Sequence, residues 1–121
     1  MRESLGRRAL AGGAALVMMS AVAAAETRYL ESLPEVPVMQ GLHGVPERGL
    51  RFDKPGGRVA RAVARGEAEA SEVRRFYRRT LPELGWRRIR RDTYARGGEV
   101  LRLRLHRDAG GLTVRFRVEP R

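Results

Sequence analysis

The strongest hydrophobic rhythm in the chain lies at residues 73–84, where Val73, Phe76, Tyr77, Thr80, Leu81 and Leu84 recur at i, i+3, i+4, i+7, i+8 and i+11. That spacing draws one stripe along an α-helix, so one face is predicted to be buried. The opposite face carries Arg74, Arg75, Arg78 and Arg79. Ser71 stands where a side-chain cap belongs, and Glu72 suits the positive end of the helix dipole. Pro82 removes an amide and Gly85 follows as a stop, which predicts a helix of about three turns.

Past Gly85 the period falls to two. Trp86 to Arg90 and Thr93 to Arg96 read as short strands around Arg91-Asp92, although the first alternates poorly. Gly97-Gly98 turns the chain into a clearer pair. Leu101, Leu103 and Leu105 face one way, as do Leu112, Val114, Phe116 and Val118, with Asp108-Ala109-Gly110-Gly111 as the turn. Before the helix, Asp53 to Gly57 is turn chemistry. Arg58 to Arg65 alternates as a strand can, with Val59 and Val63 on one face and Ala60, Ala62 and Ala64 on the other. The predicted fold is α+β in the order β-α-β-β-β-β. One amphipathic helix packs on a four- to five-stranded, mainly antiparallel sheet spanning residues 52–121.

Residues 1–25 have another character. Arg2, Arg7 and Arg8 precede an uncharged run of small and apolar residues from Ala9 to Ala25. This is the pattern of a cleavable secretory signal, with cleavage after Ala23 or Ala25 fitting equally; Glu26 serves as the working mature N-terminus. An uncleaved anchor is the competing reading, but the run is shorter and less apolar than the ~20 residues that span a bilayer. Arg7-Arg8 also fits twin-arginine export, without the usual Ser or Thr before the pair. The expected location is the periplasm or the exterior, with no transmembrane helix in the mature form.

Residues 26–51 form a Pro- and Gly-punctuated N-terminal arm. Glu26 to Leu33 is expected to make one or two helical turns. Pro34, Pro37, Gly41, Gly44, Pro46 and Gly49 forbid a long helix beyond it. Pro34-Glu35-Val36-Pro37 can be read as a polyproline-type ligand, or more plainly as an extended arm lying on the domain or loose in solvent. About 96 residues after cleavage suffice for one domain with a modest core. With no cysteine, no disulfide helps that core.

Charge changes the picture through its distribution. The chain carries a formal net charge of +11, and Lys54 is the only lysine. An arginine-rich, Ala- and Gly-rich mixture of this kind also arises from GC-rich coding. Yet residues 26–70 hold seven basic against seven acidic groups, whereas residues 71–121 hold fifteen against six. Codon bias acts on both halves, so the asymmetry marks a basic surface in the second. With the apolar residues of the last hairpin turned toward the helix, its other side displays Arg102, Arg104 and His106 beside Thr113, Arg115 and Arg117. Like charges facing one another across strands are mutually destabilising unless solvated or covered by an anion. Arg102, Arg104, Arg115 and Arg117 are therefore the candidate anion-binding residues. The candidate ligands are anionic envelope components, either acidic lipid or lipopolysaccharide headgroups, or an acidic protein. The alternative is a structural or protein-protein module that uses the arm or a sheet edge. Nucleic acid is disfavoured, because outward aromatics for base stacking are missing from residues 99–119.

The inventory for catalysis is thin. His43 and His106 are the only histidines, Ser32 and Ser71 the only serines after residue 25, and neither serine sits in a Gly-x-Ser-x-Gly elbow. No His, Asp or Glu spacing suggests a metal, and no cofactor is implied. The expectation is a non-enzymatic protein.

One motif stands apart. Phe76-Tyr77, three residues, Leu81-Pro82, two residues, Gly85-Trp86 resembles a signature of small exported bacterial proteins of no known activity, with looser similarity at Phe52 to Gly57. The resemblance implies a shared fold and bacterial origin, and transfers no functional residues. Physically, the aromatic pair and Trp86 are expected to anchor the core around a helix-to-strand turn.

Overall fold

A computed structural model of the chain describes residues 28–121; the expected signal segment, 1–25, lies outside them. Strands β1 (Arg28–Tyr29) and β2 (Pro37–Val38) make a two-stranded ribbon. Strand β3 (Leu42–Gly44), a 3-10 turn at Pro46–Arg48, β4 (Leu50–Lys54) and the long β5 (Gly57–Gly66) follow. Helix α1 (Ala70–Glu83) then leads into β6 (Arg87–Arg90), β7 (Thr93–Arg96), β8 (Glu99–Asp108) and β9 (Gly111–Pro120). The main sheet is antiparallel and runs β3-β5-β9-β8-β7-β6, with β4 beside β3 on the free edge of β5.

From β5 onward the expected order is present. The sheet nevertheless has seven strands rather than four or five, because the arm supplies β3 and the start of β4, which runs on across the expected boundary at Phe52. These strands are three and five residues long and are separated by the Pro46 turn, too short for a two-residue period to show. In the first short strand after the helix, the register shifts between Arg88 and Arg90; this bulge explains the poor alternation there.

Every apolar side chain assigned to the inner face of the hairpin points to the core. Leu101, Leu103, Leu112, Val114, Phe116 and Val118 are buried against Ala60, Ala62 and Ala64, while Val73, Tyr77 and Leu81 close the layer from α1. The small alanines of β5 leave room for the N-terminal segment, which is where the structure departs most from expectation. Leu30, Leu33, Val36, Met39 and Leu42 all join the core, each at most 8% exposed. They recur every third residue. Amide-to-carbonyl bonds from Leu33 to Leu30, Val36 to Leu33 and Leu42 to Met39 close tight turns on either side of β2, and each brings the next apolar residue back to the core. The helical turns expected up to Leu33 are absent from the described part: Arg28–Tyr29 is extended and bends follow. Val36 and Pro37 are buried while Pro34 stays exposed, so this stretch lies on the domain as an arm rather than being displayed as a ligand or loose in solvent.

The Phe-Tyr, Leu-Pro, Gly-Trp motif fastens these layers together. Tyr77 is fully buried and donates its hydroxyl to the Pro37 carbonyl at 2.7 Å, tying α1 to the arm. Its ring meets Phe76 and Phe116 edge to face, with centroids 4.9 and 5.3 Å away. Leu81 is buried, Pro82 sits in the last turn and α1 stops at Glu83. Gly85 then adopts φ +91°, which reverses the chain so that Trp86 enters the core, with the Arg96 guanidinium 4.4 Å above its ring. Ser71 does not cap the helix. The cap position is Glu69, which makes no side-chain cap bond, and Ser71 lies within the first turn.

An ion-pair cluster holds the arm from outside. Arg58 grips Glu99 through two bonds of 2.7 and 3.1 Å and also bonds Glu35, which lies 3.7 Å from Arg96. Burial pushes the Glu35 carboxyl up, but the bond from Arg58 and the neighbouring positive charges outweigh it, leaving the group below its ordinary value.

Candidate functional site

The face of the sheet opposite α1 is built by the same alternation that builds the core. Residues directly opposed on paired strands share a face, so the pairings Leu50 with Arg61, Arg61 with Arg117, and Arg117 with Arg102 draw one row across four strands. A second row joins Val63, Arg115 and Arg104, and a third joins Arg65, Thr113 and His106. The four arginines selected from sequence therefore converge, in two opposed pairs: Arg102 with Arg117 and Arg104 with Arg115.

They line a groove of about 430 Å³, together with Val63 and two arginines that sequence reasoning did not select, Arg48 and Arg61. Arg61 was within reach. The alternation of Ala60, Ala62 and Ala64 on the inner face puts it outward beside Val59 and Val63. Arg48 had no such signal, since it comes from the 3-10 turn of the arm.

Electrostatics divide the six. Arg102 bonds Glu119, and Arg117 reaches the same carboxylate at 3.2 Å, so one acid at the rim serves two arginines. Among the described residues, no carboxylate lies within ion-pairing distance of Arg48, Arg61, Arg104 or Arg115, and none lines the groove. Nearer the hairpin turn, Arg65 donates to the Thr113 hydroxyl at 2.7 Å and lies 3.4 Å from Asp108. Asp108 is held below its ordinary value, first by the amide of Gly110, which donates to it at 2.8 Å, and then by the charge of Arg65. Arg104 and Arg115 are thus the uncompensated centre of the patch. Their guanidiniums offer several forked donors to an oxyanion, as phosphate and carboxylate recognition requires.

A second basic depression of about 380 Å³ lies beside the start of α1, lined by Ser71, Arg74, Arg75, Arg78, Arg88, Arg91 and Asp92. There the acid is internal to the cluster: Asp92 takes Arg74 at 3.1 Å.

His43 and His106 are both exposed strand residues, and among the described residues neither hydrogen-bonds a carboxylate. Ser32 donates to the Arg61 carbonyl. The described residues contain no cluster of three or more His, Asp or Glu placed to hold a metal ion, and no helix long and apolar enough to cross a membrane. No protein-family model matches the chain, and no curated protein or solved structure matches it either.

Proposed function

We propose that this is an exported, non-enzymatic envelope protein whose sheet face binds anionic headgroups of acidic lipid or lipopolysaccharide through the arginine groove. The observation that supports it is the opposed pair Arg104 and Arg115, set among four further arginines in a groove that no carboxylate lines. Unoccupied, such a face carries like-charge repulsion that an anion would relieve. The leader-like sequence of residues 1–25 supports a location among such headgroups, in the periplasm or outside the cell. In this reading the charged groups lining the groove are arginines, permanent cations that hold an anion but do not exchange protons near neutrality.

Vesicle co-sedimentation tests the proposal. Binding to phosphatidylglycerol vesicles should be strong at low salt and weaken steeply toward physiological ionic strength, where the Debye length falls to about 8 Å. Phosphatidylcholine vesicles should not bind at either salt. Equal binding to both lipids, or none to either, would contradict the reading.

A further inference from the structure

The groove has an apolar border that a purely ionic ligand would leave unused. Strand β4 forms part of the sheet edge next to β5, and its Leu50 and Phe52 lie on the same face as the arginines, opposite Arg61 and Val59 respectively. Leu50 is 51% exposed and Phe52 55% exposed, whereas Phe76 and Phe116, the other two phenylalanines, are packed in or against the core. Neighbouring strands are about 4.8 Å apart, so Leu50 stands one strand from Arg61 and about 14 Å from Arg102 along the same row. Arg48, in the groove lining, precedes Leu50 by two residues. The fold thus sets a strip of half-exposed hydrocarbon along one bank of a cationic groove.

Resting on the headgroup reading above, we infer that Leu50 and Phe52 enter the hydrocarbon boundary of an acidic lipid bilayer while the groove arginines hold its headgroups, so that the protein docks with the β4 edge leaning into the membrane. Charge complementarity selects this occupant. A hydrophilic polyanion would satisfy the arginines and leave Leu50 and Phe52 in water, whereas a bilayer surface supplies anions and hydrocarbon within one strand spacing of each other. A second copy adding to the β4 edge would cover the two side chains but would bring another cationic face toward the first.

The test uses two variants, two ligands and one reporter. With phosphatidylglycerol vesicles, Leu50→Ser/Phe52→Ser should weaken binding about tenfold or more. Binding of soluble inorganic polyphosphate by the same variant should stay unchanged. Trp86 is the only tryptophan and is 1% exposed, so Phe52→Trp adds a distinguishable surface fluorophore. Its emission should shift to the blue on the vesicles and be quenched by lipids brominated on their acyl chains. Vesicle affinity that ignores the serine pair, or an unquenched Phe52→Trp, overturns the insertion. A dimer in sedimentation velocity that the serine pair dissociates overturns it in favour of a second copy. Arg104→Gln/Arg115→Gln separates the two levels of the proposal. Loss of both ligands supports the groove whatever the serine pair does, and retention of both defeats the headgroup reading itself.

Discussion

If the N-terminal segment is core, removing it should unfold the protein. Leu30, Leu33, Val36, Met39 and Leu42 are each nearly or fully buried. Full burial of such side chains is worth about 1.5–3 kcal/mol apiece, so together they contribute roughly 8–15 kcal/mol. Domains of this size are stable by only about 5–15 kcal/mol in total. A chain beginning at Phe52, the boundary that sequence patterning suggests, would also lose the acceptor of the Tyr77 hydroxyl and the Glu35 partner of Arg58. It should show no cooperative urea transition by circular dichroism and should bind a hydrophobic dye. Within the intact chain, Leu33→Ala isolates one member. It truncates a side chain at 0% exposure and should lower the unfolding free energy by about 2–5 kcal/mol, read as a drop in urea midpoint at unchanged slope. A 52–121 fragment that unfolds cooperatively at the midpoint of the longer chain would refute the reasoning, as would a Leu33→Ala variant of undiminished stability.

Two further outcomes follow from contacts around that segment. Glu35→Gln should cost about 1–2 kcal/mol at neutral pH. Because the folded carboxyl titrates below its unfolded value, its contribution is complete above the unfolded value and is lost as pH falls through the folded one; urea titrations of the variant and the parent should therefore converge on acidification. Gly66→Ala would place a Cβ 2.0 Å from the Gly41 carbonyl oxygen, where the chain enters β3 beside the end of β5, and should destabilise by about 2–4 kcal/mol, whereas Gly98→Ala, with open space around its Cβ, should change thermal stability by less than about 0.5 kcal/mol.

What the sequence made legible follows from how each element buries its apolar groups. Helix α1 and strands β5, β8 and β9 present apolar residues at the periods of regular structure, and the same alternation identifies Arg102, Arg104, Arg115 and Arg117 as neighbours from the sequence. The arm buries its apolar groups at every third residue through tight turns on either side of the short strand β2, a spacing that matches neither helix nor strand, and its prolines made it look like a tether. Arg48 was hidden for the same reason. Leu50 and Phe52 were missed because β4 reads as turn flank, and only its pairing with β5 shows that both lie on the arginine face. The Phe-Tyr, Leu-Pro, Gly-Trp motif was legible as core, but not the fact that Tyr77 holds the arm.

In the headgroup reading the groove, rather than the net positive charge of the chain as a whole, binds the anion. The most direct test compares two charge-matched variants by phosphatidylglycerol vesicle titration at fixed salt: Arg104→Gln/Arg115→Gln in the groove and Arg75→Gln/Arg79→Gln on the exposed side of α1. At about 1 kcal/mol per arginine near an anionic surface, the groove pair should weaken binding about 30-fold, and the helix pair should leave it within about threefold of the parent. Equal losses from the two pairs would show that net charge alone drives association, and would contradict the account.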